Sequence, residues 1–183
     1  MSRNKRILLG VTVAALSLFA GIYAGQQTAK PSAPPTKALA NAGVDKLLAL
    51  TLLDSEGKSQ AFSQWRGKTL VVNFWAAWCP PCREEMPAFS RLQDKYAANG
   101  VQFTGIALDS TEAVRAFSSQ HPVTYPLLMG GAEGTELARQ LGNSQLALPY
   151  TVIFSPSGET RFARLGAISE QELDTFLRQS ILR

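Results

Sequence analysis

The only two cysteines of the chain, Cys79 and Cys82, stand three positions apart in the stretch WCPPCR. Two thiols at this spacing can close a small structural disulfide, bind a metal ion, or cycle between a dithiol and a disulfide. A structural role is weakly supported, because closing so short a loop stabilises a fold by only about 2 kcal/mol in the chain-entropy model. The spacing alone does not distinguish metal binding from redox cycling, so other residues must decide between them.

Metal binding is limited by the number of available ligands. Structural zinc needs four ligands, and this chain has no third cysteine and a single histidine, His121, far away in sequence. We therefore expect no zinc site. Two thiolates could still hold a soft ion such as Cu(I), with Met86 nearby as a soft donor, although core packing explains Met86 better. A copper-binding module that uses Cys79 and Cys82 stays open as an alternative.

The elements around the cysteine pair favour redox cycling. The segment TLVVNFW (69–75) is an apolar run typical of a strand buried on both faces, and apolar residues recur at helical spacing over 81–98. Cys79 should therefore lie at a helix N-terminus, where the helix dipole lowers the pKa of a thiol from about 8.5. Cys82, one turn later, would be covered and placed to resolve a mixed disulfide formed by Cys79.

Strand and helix patterns alternate along the rest of the chain. This order predicts an α/β fold with a central mixed sheet flanked by helices. The predicted strands are 47–57, 69–75, 101–109, a short one within 125–130, and two around the turn 155–158; the predicted helices are 81–98, 110–120, 135–142 and 168–182.

The N-terminal segment predicts a membrane anchor. Residues 7–25 carry no charge, and as a helix they would span about 28 Å, close to the thickness of a bilayer core. The run lacks a clean small-x-small cleavage site, which favours a retained anchor over a cleaved signal peptide. Its basic flank would stay in the cytoplasm, so the rest of the chain should lie outside. Residues 26–44, rich in Ala and Pro, predict a tether to a folded domain at 45–183.

The charge distribution argues against nucleic acid as a partner. The formal net charge is +4, but three of the 18 basic residues stand at the extreme N-terminus, which leaves 15 basic residues against 14 acidic ones. A nearly neutral body lacks the basic surface that binds phosphates.

The stretch FWAAWCPPCREEMP, on a predicted strand, turn and helix, resembles the active site of the thioredoxin fold. With the anchor and tether, the pattern over 45–183 resembles the membrane-anchored extracytoplasmic thiol–disulfide reductases of the TlpA/ResA/CcmG(DsbE)-like family. The resemblance implies a thioredoxin-like fold with an extra helix-strand unit, here near 109–131. It also implies a redox-active Cys79–Cys82 disulfide and no other cofactor or metal.

The resemblance implies roles for further residues. Pro149 stands where the family has a cis-proline packed against the disulfide, and the backbone of Leu148 would then hydrogen-bond an extended substrate. Ala147 departs from the glycine of many relatives, which affects the shape of that surface. Trp78, Pro80 and Pro81 would also face the substrate; the alternative for Trp78 is packing alone.

Glu85 is the residue that the resemblance assigns to proton transfer at the cysteine pair. It stands three residues after Cys82, on the same helical face, and its alternative is a solvated surface carboxylate, as expected for Glu84. Thioredoxin has a buried acid on the preceding strand, where this chain has Asn73. This departure is in keeping with the reductases of the family, and it leaves Glu85 as the residue expected to transfer protons.

The expected function is that of a periplasmic protein-disulfide reductase. Oxidants of this fold often have a histidine between the cysteines, whereas both intervening residues here are proline, which favours a reducing or mid-range potential. Substrates would be protein disulfides or thiols, as in cytochrome c maturation or copper chaperones. A transmembrane electron donor of the DsbD/CcdA type would reduce a monomeric enzyme held in the bacterial inner membrane. An oxidase or isomerase with the same site is the alternative.

Overall fold

The structure, a computed structural model, describes residues 37–181, with side chains from residue 43 onward. Short 3-10 turns at Phe62–Trp65 and Ala97–Asn99 connect some of the elements. In chain order the elements are α1 (Lys37–Ala49), β1 (Thr51–Leu53), β2 (Ser59–Ala61), β3 (Thr69–Trp75), α2 (Pro80–Tyr96), β4 (Val101–Ala107), α3 (Thr111–Gln120), β5 (Leu127–Met129), α4 (Gly131–Gln140), β6 (Tyr150–Phe154), β7 (Thr160–Leu165) and α5 (Glu170–Ile181).

The central sheet has five strands in the order β5-β4-β3-β6-β7. Strand β3 pairs parallel with β4 and antiparallel with β6, while β5 is parallel to β4 and β7 antiparallel to β6. The sheet is therefore mixed, which confirms the predicted α/β class and the thioredoxin-like arrangement. Strands β1 and β2 form a separate antiparallel hairpin.

Both faces of the sheet are covered, because successive side chains of β3 point in opposite directions. Val71 and Trp75 pack into an apolar cluster that also holds residues of α2, α3 and α5. Val72 and Phe74 pack into a second cluster with residues of α1 and α4. Every residue of β3 is buried as a result, as the uninterrupted apolar run predicts.

The start of the folded domain differs from the prediction. Helix α1 begins at Lys37, so residues 37–44, predicted as part of the tether, are helical, and the predicted strand over 47–57 is reduced to Thr51–Leu53. The Ala-rich segment has high helix propensity, and Val44 and Leu47 bury their side chains in the second apolar cluster. The partner strand β2 was not predicted.

The predicted anchor at 7–25 and the first part of the tether lie outside the described residues. Between residues 37 and 181, no helix combines the length and the apolar character that a membrane span requires.

The extra helix-strand unit lies where it was predicted. Helix α3 and strand β5 occupy the chain between β4 and α4, and β5 forms one edge of the sheet. Ser110 begins α3 as its N-cap, since its hydroxyl accepts a hydrogen bond of 3.1 Å from the Ala113 N–H. Helix α4 begins at Gly131 rather than near Thr135, the start of the predicted helix.

Candidate active site

The two cysteines form a disulfide at the junction of β3 and α2. Strand β3 ends at Trp75, a tight turn follows in which the Cys79 N–H donates to the Ala76 carbonyl at 3.1 Å, and Cys79 is the N-cap of α2. The Cys79–Cys82 bond has an S–S distance of 2.04 Å and joins Cα atoms 5.3 Å apart. The predicted strand-turn-helix placement of the pair is confirmed.

The first turn of α2 offers few backbone donors to the cysteine sulfurs. Pro80 and Pro81 occupy its first two positions, which suits proline because its fixed φ fits the helix and no N–H is needed there. The Arg83 N–H donates to the Cys79 carbonyl at 3.2 Å. Among the described residues, the Cys82 N–H is the one first-turn donor without a backbone partner. A thiolate on Cys79 would therefore find one free backbone donor in this turn, the Cys82 N–H, because Pro80 and Pro81 have none.

Access to the disulfide is narrow. Cys79 is 2% exposed and Cys82 is fully buried, which confirms the expectation that the helix covers Cys82. Next to the pair, Trp78 is 67% exposed and Pro80 is exposed as well. Trp78 therefore does not serve core packing. It forms an exposed apolar surface beside the narrow approach to Cys79.

Pro149 follows a cis peptide bond after Leu148, as predicted from the resemblance. Strand β6 begins at Tyr150, which pairs with Phe74 near the end of β3, so the register brings Pro149 to the end of the sheet from which the cysteine turn departs. Leu148 is partly buried and packs against the cluster that contains both cysteines. No hydrogen bond among the described residues uses its backbone N–H or carbonyl.

Glu85 is buried rather than solvated. It is 5% exposed, and its carboxylate accepts hydrogen bonds from the Asn73 side-chain amide at 2.9 Å and from the Ile168 N–H at 3.1 Å. Burial raises the pKa of this carboxyl group to about 7, although the two hydrogen bonds act in the opposite direction. Glu84 is exposed, as expected.

The partners of Glu85 come from several elements. Asn73 also donates to the Thr151 hydroxyl at 3.0 Å, and the two residues face each other across β3 and β6. Ile168 lies in the segment before α5. Thr151 and Ile168 were not predicted from the sequence, because nothing in the local pattern indicates partners so distant along the chain.

Asp109 is another residue at the site that sequence analysis missed. Its carboxylate accepts a hydrogen bond of 2.9 Å from the Ala77 N–H and thereby holds the turn that leads to Cys79. Asp109 follows β4, the strand next to β3, and such an acid just beyond the carboxyl end of a parallel strand is the signal that could have indicated it.

Met86, considered as a soft copper ligand, lies in the same apolar cluster as both cysteines, and His121 lies outside that cluster. Met86 is 1% exposed within the apolar core, and the His121 ring stacks on Phe117 with centroids 4.6 Å apart. In the part of the chain that the structure describes, no cluster of three or more His, Cys, Asp or Glu side chains could hold a metal ion.

Comparisons with known proteins agree with this architecture. The model of the AhpC/TSA family matches residues 44–163. The thioredoxin-like protein YneN of Bacillus subtilis (strain 168) is 32% identical over 122 residues, which cover 64% of this chain and 68% of that protein. A thiol-disulfide oxidoreductase ResA of Bacillus cereus is 30% identical over 128 residues, covering 69% and 71%. A crystal structure of a thiol:disulfide interchange protein of the thioredoxin family from Chlorobium tepidum TLS matches with a TM-score of 0.63 and 27% identity, covering 72% of this chain and 92% of that one.

Proposed function

The chain belongs to the AhpC/TSA family and is a thiol–disulfide oxidoreductase with a thioredoxin-like fold, and from this premise we propose that it reduces disulfides in other proteins. The observation that carries the direction is the first turn of α2, where Pro80 and Pro81 provide neither an N–H group nor a histidine. A strong oxidant of this fold stabilises its reduced form through a low thiolate pKa. With few groups to stabilise the Cys79 thiolate, the disulfide form is favoured and the dithiol is a good reductant.

The reaction is thiol–disulfide exchange in two steps. The Cys79 thiolate attacks a substrate disulfide, a bond forms between Cys79 and one substrate sulfur, and the other substrate sulfur leaves as a thiolate that takes up a proton. The Cys82 thiolate then attacks Cys79, which restores the Cys79–Cys82 disulfide and releases the second substrate thiol. The substrate gains two electrons and two protons, and the enzyme must regain them from a donor.

Glu85 is suited to accept and return a proton during these steps. It lies one helical turn beyond Cys82, and its carboxyl pKa of about 7 allows both protonation states near neutral pH. The side chain of Asn73 is an amide and cannot take up or release this proton. Of the two side chains, only Glu85 can therefore exchange a proton with the cysteines.

We also propose that the enzyme acts outside the bacterial cytoplasmic membrane, as a monomer anchored by residues 7–25. The charge-free run and its basic flank support this location, and disulfide exchange on secreted proteins suits such a compartment. A transmembrane donor of the DsbD/CcdA type would return the electrons. Candidate clients are apocytochrome c thiols and copper-chaperone cysteines. Protease treatment of spheroplasts should degrade the catalytic domain; its protection would contradict this location.

A trapping experiment tests the reaction. The Cys82→Ser variant should accumulate mixed disulfides through Cys79, because the resolving thiol is absent. These adducts should disappear in a Cys79→Ser, Cys82→Ser double variant and on treatment with dithiothreitol. Recovery of the same amount of adducts with the double variant would contradict the proposal.

Two measurements separate reduction from the alternatives. Equilibration with glutathione should give a potential nearer to about −270 mV than to about −120 mV, the values for thioredoxin and for the oxidant DsbA. A value near the upper limit would support an oxidase or isomerase. The purified protein should also catalyse insulin reduction; tight stoichiometric Cu(I) binding without that activity would support the copper-binding module.

A further inference from the structure

The loop before Pro149 is held by the side chain of Asn143. This side chain is 3% exposed, and both ends of its amide bind the backbone of one residue, Ala147. The Asn143 Nδ2 donates to the Ala147 carbonyl at 2.9 Å, and the Asn143 Oδ1 accepts from the Ala147 N–H at 3.1 Å. The amide thus pairs with Ala147 much as a neighbouring strand would.

The backbone between these residues adopts a conformation that it would not favour by itself. Leu146 has a φ of +53°, the one positive φ at a non-glycine residue in the described part of the chain. A leucine side chain disfavours this left-handed region, so the surrounding contacts must impose it. The Leu146 N–H donates to the Asn143 carbonyl at 3.1 Å, and the Asn143 N–H donates to the Ala138 carbonyl at 2.9 Å, which ties the loop to the end of α4.

This arrangement leaves Leu148 between two residues with occupied backbone groups. Both backbone groups of Ala147 are paired with Asn143, and the Pro149 carbonyl accepts a hydrogen bond of 2.8 Å from the Gly166 N–H. The N–H and carbonyl of Leu148 have no partner among the described residues. They form a short backbone edge at the end of the sheet that carries the disulfide.

We propose that Asn143 is a positioning residue for protein substrates, because its clamp on Ala147 holds the Leu148 peptide ready to pair with an extended segment of the substrate chain. The inference rests on the proposed reduction of protein disulfides. A backbone edge that is already ordered binds an extended peptide without a further loss of loop entropy. A small disulfide has no peptide backbone, so its reduction does not depend on this clamp.

The experiment compares two substrates with the full-length chain purified in detergent. Insulin represents a protein disulfide, and 5,5′-dithiobis(2-nitrobenzoate) represents a small one. In Asn143→Ala, the KM for insulin should rise roughly fivefold, the factor expected when about one hydrogen bond of positioning is lost, while kcat changes little. The rate with the small disulfide should stay within about twofold. Ser144→Ala, at the exposed neighbouring position, is the matched control and should behave like the wild type.

Asn143→Asp provides a second variant of nearly the same size. In its ionised form it keeps the acceptor for the Ala147 N–H and sets an oxygen against the Ala147 carbonyl in place of the donor, so it should raise the KM in the same direction. It decides the question if Asn143→Ala does not fold. Equal losses with both substrates, or an unchanged KM for insulin, would overturn the role of Asn143. A wild-type protein that cannot reduce insulin would instead overturn the proposed function, and this inference with it.

Discussion

The side-chain amide of Asn73 donates a hydrogen bond of 2.9 Å to the buried carboxylate of Glu85, one helical turn beyond Cys82. The strand thus supplies a neutral donor and the helix supplies the acid. Because only one of the two side chains can ionise, the charge of this buried pair is set by the protonation state of Glu85.

The stability of the oxidised protein should fall as the pH rises from about 4.5 to about 7. Burial raises the pKa of Glu85 from 4.5 to about 7, so the folded state binds the proton more tightly than the unfolded state. The stabilisation is complete below 4.5 and is lost as the pH passes through 7, a change of roughly 3 kcal/mol. Burial and the Glu85 carboxylate raise the pKa of Tyr125, which stays neutral over this range.

Urea unfolding from pH 4.5 to 8 should detect this dependence and its removal in Glu85→Gln. Glu84→Gln, which changes the exposed neighbouring carboxylate, should retain the wild-type pH dependence. A Glu85→Gln protein whose stability falls with pH as steeply as that of Glu84→Gln would refute the assignment.

Asn73→Asp should place a second carboxyl group beside Glu85. Two carboxylates in one buried site cannot both ionise readily, so the pair should share a proton and one group should titrate well above pH 7. Carboxyl ¹³C NMR of the oxidised protein would follow both groups. A Glu85 midpoint that stays near 7, with the new aspartate titrating in its ordinary range, would show that the two side chains do not interact.

Trp78→Ala should weaken the reduction of protein substrates without destabilising the fold. Trp78 is 67% exposed, so its removal costs little packing but deletes apolar surface next to Cys79. The KM for insulin should rise several-fold while the melting temperature stays within a few degrees. A drop in melting temperature comparable to that caused by a core substitution would indicate a structural role instead.

Leu47→Ala tests whether α1 belongs to the folded domain. Leu47 is fully buried against the second apolar cluster, so truncation should lower the free energy of unfolding by about 2–5 kcal/mol. Lys46→Ala, at the exposed preceding position, should have little effect. Equal stabilities of the two variants in urea unfolding would mean that α1 contributes little to the domain.

Local patterns predicted the elements that carry the cysteines, and they failed where tertiary packing decides. The apolar run 69–75 is typical of a strand buried on both faces, and the spacing of Met86, Phe89 and Leu92 indicated α2. The segment around Leu47 is apolar enough for a strand or a helix, and it is helical because it packs against the sheet. Strand β2 is short and polar, so the sequence shows no clear alternation of apolar residues that would predict it.

The sequence by itself determined which residues carry the chemistry, since two cysteines between a buried strand and a helix favour a redox pair and the two prolines between them limit its thiolate stabilisation. The tertiary structure decided the setting of that chemistry. The raised pKa of Glu85 depends on its burial and on Asn73 and Ile168, and the Leu148 edge depends on the clamp of Asn143 on Ala147. Burial and hydrogen-bond partners arise from residues far apart along the chain, which only the folded arrangement brings together.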